Sequence, residues 1–224
     1  MPGIGVWEAQ PSPTKMLLIA IPHVGLVTFD WAVHFKVLQC PVPFNIISNR
    51  GLPIDRARCD LVNQAQQMGA SHILFLDSDV TMHPEAIGRL WQWQLPIVCG
   101  IYGSKHGVPG VWIENAKSGD ARYTAVNPEV LAKVAESQHS LFSHPDMVVG
   151  AGCLLIDMEV FKKLKKPYFL WTQGRDDDGV SEDFYFFEKC REAGIPIHLD
   201  AKVQCNHIDM CQLDWAGNRE RLAT

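Results

Sequence analysis

Short apolar segments alternate with longer amphipathic ones through most of this chain. The apolar segments lie at 16–22, 43–48, 72–77 and 96–102, and helix-like sequence separates several of them. Such alternation favours an α/β sheet covered by helices. With 224 residues, one domain of this kind has room for a substantial core. The sequence therefore predicts a single α/β domain with a Rossmann-like, mixed central sheet flanked by helices.

Proline, glycine and capping residues place the remaining elements. Asp55 is predicted to cap a helix that runs to Gln67, with Gly69 ending it. Residues 103–126 are predicted to form a loop with a hairpin, and Gly150-Ala151-Gly152 is predicted to break a strand at 147–157. The other predicted helices are 83–94, 127–137, 159–164 and a helix that Ser181 caps and that runs to Ala193, and PIHLD and KVQCNH are predicted to be two closing strands.

Composition excludes several classes of protein. The net charge is −5, without the basic excess that a nucleic-acid surface needs. No apolar run is long enough to predict a membrane span, and the first 15 residues read as a loose leader rather than a signal peptide. The seven cysteines include no C-x-x-C and lie mostly in apolar stretches, which predicts a reducing, cytoplasmic location.

Two carboxylates leave the clearest strand of the chain. Asp77 and Asp79 directly follow the apolar run ILFL. Ligands of parallel α/β sheets bind at the carboxyl ends of strands, and residues two apart on an extended chain point to the same side. The pair can therefore hold a divalent cation that neutralises a pyrophosphate leaving group. The alternative is that both are turn or helix-cap acids.

A second acidic pair and a late histidine could complete such a site. Glu182 and Asp183 open an amphipathic helix, where they either offset the helix dipole or supply a general base. His207 is either an ordinary surface or core histidine or a third metal ligand, and imidazole favours Mn²⁺ over Mg²⁺. A zinc site of Cys205, His207 and Cys211 is a further alternative, although the spacing is not that of a zinc finger. Trp171 is a candidate for stacking on a sugar.

In this order the motifs resemble those of GT-A glycosyltransferases, most closely the family-2-like enzymes, from about Met16 to His207. The matching segments are Ile21-Pro22, Arg56-Ala57-Arg58, Leu76-Asp77-Ser78-Asp79, Gly150-Ala151-Gly152 with the strand after it, Glu182-Asp183 and His207. The resemblance implies a GT-A domain at 16–210, with a nucleotide-sugar-binding half at 16–102 and an acceptor-binding half at 103–210. It leaves a leader at 1–15 and a tail at 211–224.

The resemblance also implies a role for each residue. Asp183 would be the catalytic base, with Glu182 beside it, and Asp77, Asp79 and His207 would hold Mn²⁺ (or Mg²⁺). The implied donor-binding residues are Ile21, Pro22, Arg56, Arg58, Asp77, Ser78 and Asp79, and the implied acceptor-binding residues are Gly150, Ala151, Gly152 and Trp171.

The predicted activity is transfer of a sugar, with inversion, from a UDP- or GDP-sugar to a hydroxyl of an unidentified acceptor. One alternative is a nucleotidyltransferase acting on sugar phosphates, although IAIPHVG after the first strand is not a glycine-rich phosphate loop. Another is a noncatalytic nucleotide-sugar-binding module. The oligomeric state stays open.

Overall fold

The computed structural model describes residues 15–104, 107–115, 122–172, 179–208, 212–216 and 219–220. The strands are β1 Leu17–His23, β2 Phe44–Arg50, β3 His72–Leu76, β4 Val80–Met82, β5 Ile97–Tyr102, β6 Val111–Glu114, β7 Tyr123–Ala125, β8 Leu141–Phe142, β9 Met147–Val149, β10 Cys153–Asp157, β11 His198–Ile208, β12 Gln212–Leu213 and β13 Arg219–Glu220. The helices are α1 Phe29–Lys36, α2 Ile54–Gln67, α3 Ala86–Gln92, α4 Pro128–Glu136, α5 Glu159–Lys163 and α6 Glu182–Glu192.

One large sheet organises the molecule, with the strand order β13-β12-β11-β5-β10-β3-β1-β2. Strands β2, β1 and β3 are parallel, β10 runs antiparallel between β3 and β5, and β11 is parallel to β5. Strands from both predicted halves of the chain therefore belong to the same sheet. A second, three-stranded sheet contains β7, β6 and β9. The predicted fold class, a mixed α/β sheet flanked by helices, is confirmed.

Helices cover the large sheet on both faces. On one face, α1 and α3 contribute Trp31, Ile87 and Leu90 to a buried cluster. On the other face, α2, α5 and α6 pack around Phe75 and Phe186. All five residues of β3 are buried. Each large apolar side chain buried in this way contributes about 2 kcal/mol, which explains why the strand before the acidic pair lies at the centre of the fold.

Most of the local predictions agree with the structure. Gly69 follows the end of α2 with φ 68, a conformation that glycine adopts without a steric penalty. The side chain of Asn127 caps α4 by accepting from the N–H of Glu129. β6 and β7 form the predicted antiparallel hairpin, and β9 and β10 flank the predicted break at 150–152.

Four local predictions were wrong in detail. Asp55 lies in the first turn of α2, whose N-cap is Pro53 without a side-chain hydrogen bond. The helix predicted at 83–94 is reduced to α3, because a turn at 84–85 follows β4 and the helix ends at Gln92. Ser181 is the N-cap of α6, but its hydroxyl bonds to the side chain of Asp183 and makes no capping bond to the backbone. The two closing strands are one strand, β11, which has a register irregularity between Leu199 and Gln204.

Within the ranges that the structure describes, no helix is both long and apolar enough to cross a bilayer. Six cysteines in those ranges are free thiols. Cys211, leader residues 1–14 and much of the tail lie outside the described residues.

Candidate active site

The predicted acidic residues meet at the carboxyl edge of the sheet. Asp77 and Asp79 follow β3, and the turn at 150–152 lies beside them because β10 pairs with β3. His207 reaches the same edge on β11, where it pairs with Val80 of β4. The N-terminus of α6 brings Glu182 and Asp183 there. This is the edge at which an α/β sheet binds ligands.

A buried guanidinium joins three of these segments. Arg58 Nη2 donates to both carboxylate oxygens of Asp77, at 3.0 and 3.1 Å. Its Nε donates to Glu182 Oε1 at 3.1 Å, and its Nη1 donates to the carbonyl oxygen of Ala151 at 3.3 Å. Arg58 is only 2% exposed. We call Arg58, Asp77 and Glu182 the inner cluster.

The pKa values of Asp77 and Arg58 in the inner cluster are both shifted from their ordinary values. Burial raises the pKa of Asp77, and the charges of Asp79 and Glu182 raise it further, whereas Arg58 lowers it. The pKa of Arg58 lies above its ordinary value, because the charges of Asp77, Glu182 and Asp183 outweigh the effect of burial. Arg58 therefore stays cationic and balances part of the negative charge.

Asp79 and His207 form a second, more open group, which we call the outer pair. His207 Nε2 lies 3.2 Å from Asp79 Oδ2, and the Asp79 side chain is 40% exposed. His207 Nδ1 lies 3.0 Å from the carbonyl oxygen of Gly103. A carbonyl only accepts, so Nδ1 carries a hydrogen and donates it. In the neutral ring, Nε2 then directs a lone pair at a carboxylate oxygen.

Two acceptors facing each other require a cation or a proton between them. The 3.2 Å between His207 Nε2 and Asp79 Oδ2 would let both atoms bind one cation, and it equally fits a shared proton. A carboxylate and an imidazole held by a backbone carbonyl also suit Mn²⁺. A second proton on the ring would satisfy the pair as well.

The predicted set of Asp77, Asp79 and His207 is not assembled as one group. The carboxylate of Asp77 bonds to Arg58, while Asp79 meets His207. Among the described residues, no group of three or more His, Cys, Asp or Glu side chains is placed to hold a metal ion. The zinc alternative shares His207, and its Cys211 lies outside the described residues. The structure therefore brings together two side chains of a type that can bind a metal ion, and the predicted cofactor stays a prediction.

Asp183 has the properties of a base that works near neutral pH. Burial raises its pKa to about 6, and the charge of Glu182 adds to this. Bonds from the Ser181 hydroxyl and the N–H of Phe184, together with the charge of Arg58, act in the opposite direction. A carboxylate with this pKa is mostly ionised at pH 7 and accepts a proton more readily than an ordinary aspartate.

The turn at 150–152 needs its glycines. A Cβ at Gly150 would lie 2.1 Å from the Tyr102 hydroxyl oxygen, and one at Gly152 would lie 2.9 Å from Asp77 Oδ2. The N–H of Gly152 donates to the Tyr102 hydroxyl at 3.0 Å. The Tyr102 ring also makes an edge contact with His207 at 5.5 Å. The small residues predicted to bind acceptor thus let Tyr102 lie across this edge.

Hydrogen bonds fix the backbone that presents the acids. The N–H of Asp77 donates to the carbonyl of Gly152 at 3.1 Å, and Trp31 Nε1 donates to the carbonyl of Asp77 at 3.1 Å. The N–H of Ile208 donates to the carbonyl of Asp79 at 2.6 Å. The positions of the two aspartates therefore depend on α1, the 150–152 turn and β11.

A cavity of about 350 Å³ opens beside the acids. Its lining includes Asp77, Ser78 and Asp79 with Pro22, and Val24 and Leu52 extend it as an apolar wall. This volume falls in the range of small-molecule sites. A larger cavity of about 540 Å³ lies against α3 and β11 and contains none of the predicted site residues.

Other predicted site residues lie outside this arrangement. Ile21 is buried in the core beneath the edge, and Arg56 is exposed on α2. Trp171 is 55% exposed, and its backbone N–H donates to Asp55 Oδ2 at 3.3 Å. It stands near the start of α2, and residues 173–178 after it are outside the described ranges.

Two residues of the site were not predicted. Tyr102 is the last residue of β5, so the rule that placed Asp77 at a strand end could have found it. Trp31 gives no comparable signal, because its role depends on the backbone of a residue 46 positions away.

Comparison with known proteins bears on the fold. No protein-family model matches the chain, and no curated protein matches its sequence. A solved structure titled "Crystal Structure of A197 from STIV" superposes with a TM-score of 0.57 at 18% identity, covering 94% of this chain and 98% of that one. In fold, the chain is similar to A197. At this identity the likeness concerns the fold alone.

Two further solved structures superpose less well. UDP-glucose pyrophosphorylase complexed with UDP-glucose gives a TM-score of 0.45 at 8% identity, covering 87% of this chain and 93% of that one. The inositol-1-phosphate CTP transferase from T. maritima gives 0.41 at 12% identity, covering 86% and 70%. Scores this low carry no argument about activity.

Proposed function

We propose that this chain is a metal-dependent GT-A glycosyltransferase, which transfers a sugar from a nucleotide-diphosphate sugar to an acceptor hydroxyl with inversion. The observation that supports it is the outer pair, in which Asp79 and His207 direct two acceptor atoms at each other at the edge where Asp183 also lies. A binding site alone does not need a base with a pKa of about 6 beside it.

Asp79 and His207 would hold the metal ion, and its positive charge would neutralise the diphosphate as that group leaves. Asp183 accepts the proton of the acceptor hydroxyl while the hydroxyl oxygen bonds to the anomeric carbon. The bond between that carbon and the phosphate oxygen breaks, and the nucleoside diphosphate departs with the bonding electrons. The 350 Å³ cavity, with its wall of Val24 and Leu52, would take the nucleotide.

The test is release of nucleoside diphosphate from UDP- and GDP-sugars with Mn²⁺, in the presence and absence of a panel of hydroxyl acceptors. Asp79→Asn and Asp183→Asn should each reduce the rate of release by at least about 100-fold. Glu129→Gln, an exposed acid in the first turn of α4, is the matched control and should leave it unchanged. Wild-type activity in Asp183→Asn would refute the base, and wild-type activity in Asp79→Asn would refute the metal pair.

Nucleotidyl transfer to a sugar phosphate is the alternative. That reaction also uses an α/β sheet, carboxylates and a metal ion. The products separate the reactions, since nucleotidyl transfer from UTP or CTP releases pyrophosphate. Pyrophosphate release with glucose 1-phosphate and UTP, but no diphosphate release from a nucleotide sugar, would replace the main proposal. Nucleotide-sugar binding without either reaction would instead favour the noncatalytic module.

A further inference from the structure

Arg58 connects segments that are far apart in the sequence. It lies on α2, whereas its three partners lie after β3, in the turn before β10 and at the start of α6. The sequence separations are 19 residues to Asp77, 93 to Ala151 and 124 to Glu182. One rigid, planar group therefore fixes three independent chain segments relative to each other.

The guanidinium has little freedom to serve a ligand instead. It is 2% exposed, and it lies over the ring of Phe75 with its central carbon 5.3 Å from the ring centroid. Each of its three nitrogens already donates to an oxygen of the protein. A donor phosphate could bind Arg58 only by displacing a carboxylate from a buried ion pair, which is costly.

The two carboxylates of the inner cluster are each a near neighbour of a proposed reacting group. Asp77 lies two residues before Asp79 of the outer pair, and Glu182 directly precedes Asp183. The distance between the metal-binding turn and the base thus depends on the length of the Asp77–Arg58–Glu182 bridge.

We propose that Arg58 is a positioning residue that sets the separation between the Asp79 turn and the Asp183 base, rather than a ligand of the donor phosphates. The inference rests on the proposed function. It assigns to one buried arginine the alignment of the two ends of the transfer reaction, which lie on different secondary structure elements.

Arg58→Lys tests the role in catalysis, because lysine keeps the charge but cannot bridge two carboxylates and a carbonyl in one plane. We expect kcat to fall about 100-fold, as for a misplacement of about 1 Å, with the donor KM changed less than about threefold. Arg122→Lys is the matched control, since Arg122 pairs with Glu114 and Glu188 away from this edge. A rise in donor KM at unchanged kcat would overturn the proposal in favour of phosphate binding, and wild-type kinetics would overturn it outright.

The pH profile gives a second readout. The charged and titratable groups that act on Asp183 are Glu182 on its own helix, Arg58 from α2 and Tyr102 from β5. Arg58→Met removes the only cation among them, so the acid limb of the kcat profile should move to higher pH, while Arg58→Lys should move it less. An unchanged limb in Arg58→Met contradicts the proposed proximity.

A measurement without activity keeps the test independent of the proposed function. Asp77→Asn and Glu182→Gln should shift the urea midpoint non-additively in the wild-type background, because both carboxylates bond to one guanidinium. The shifts should become additive in Arg58→Met, or in Arg58→Lys if the methionine variant does not fold. Additive shifts in the wild-type background would show that Arg58 is no bridge, even if the protein transfers no sugar. Absence of transfer with coupled shifts would instead refute only the proposed function and the catalytic role that depends on it.

Discussion

The inner cluster and the outer pair are adjacent groups of acids, but they obtain their positive charge differently. In the inner cluster a buried arginine belonging to the fold pairs with Asp77 and Glu182 and balances part of their negative charge. In the outer pair the more exposed Asp79 meets an imidazole whose Nδ1 hydrogen is committed to a backbone carbonyl. The inner cluster holds its geometry without a ligand, whereas under the proposed function the outer pair would receive a cation. Under that proposal, the first aspartate of the D-x-D motif serves structure and the second binds the metal ion.

The largest expected effect concerns the base, which borders the inner cluster. Asp183→Asn should reduce kcat by about 10³-fold, since a positioned general base contributes about 10²- to 10⁴-fold. The metal affinity should not change, because the outer pair is intact. Transfer kinetics and Mn²⁺ titration check the two statements. A variant that lost Mn²⁺ binding would show that the two groups are not separate.

Stability should separate the two aspartates. Asp77→Asn leaves Arg58 short of one buried partner and should lower the free energy of unfolding by about 3 kcal/mol. Asp79→Asn alters a more exposed side chain and should cost less than about 1 kcal/mol. Urea denaturation of both variants measures the difference. Equal costs would remove the distinction between an inner and an outer group.

Metal binding should depend on Asp79 and not on Asp77, which is the reverse of the order expected for stability. Mn²⁺ at about 100 times its Kd should stabilise the wild-type protein by about 2.7 kcal/mol through mass action. This gain should disappear in Asp79→Asn and His207→Ala, and it should persist in Asp77→Asn. Thermal denaturation with and without Mn²⁺ decides this, with Mg²⁺ as a comparison. If Mn²⁺ no longer stabilised Asp77→Asn, Asp77 would be a metal ligand together with Asp79 and His207, as the sequence predicts.

A pH titration gives the smallest effect. Asp183 must be ionised to accept a proton, and its pKa is about 6, so kcat should fall about tenfold per unit as pH drops below 6. The raised pKa favours the protonated carboxyl in the folded state. The contribution of Asp183 to stability is therefore present at acid pH and lost as pH rises through about 6. An acid limb near the ordinary aspartate pKa would place Asp183 in a more solvated setting than the structure shows.

The sequence predicted the parts of the fold that follow from local patterns. The four main strands and the edge on which Asp77 and Asp79 lie depend on runs of apolar residues and on the rule for strand ends. Helix α1 was not predicted. Phe29, Val33 and Val37 are apolar but exposed, so the sequence does not show one apolar and one polar helix face. Strand β4 has three residues, too few to show a pattern.

The partners of the site residues could not be predicted. Nothing local in the sequence near Arg58 indicates that it bonds to Glu182, 124 residues later, rather than to a phosphate. The same holds for the different partners of the two aspartates, Arg58 for Asp77 and His207 for Asp79, since both acids follow the same strand. Pairing at such distances is decided by how α2 and α6 pack on one face of the sheet.

The hydrogen bond from His207 to the carbonyl of Gly103 links two parts of the molecule that the chemistry does not otherwise connect. Gly103 forms an antiparallel bridge with Pro109, and the N–H of Ser104 donates to the carbonyl of Val108. Because His207 Nδ1 donates to the carbonyl of Gly103, the orientation of the imidazole depends on the position of this backbone. Under the proposed function, an insertion or substitution next to Gly103 would change the angle of the imidazole, and with it the affinity and selectivity for the metal ion, without altering Asp79 or His207.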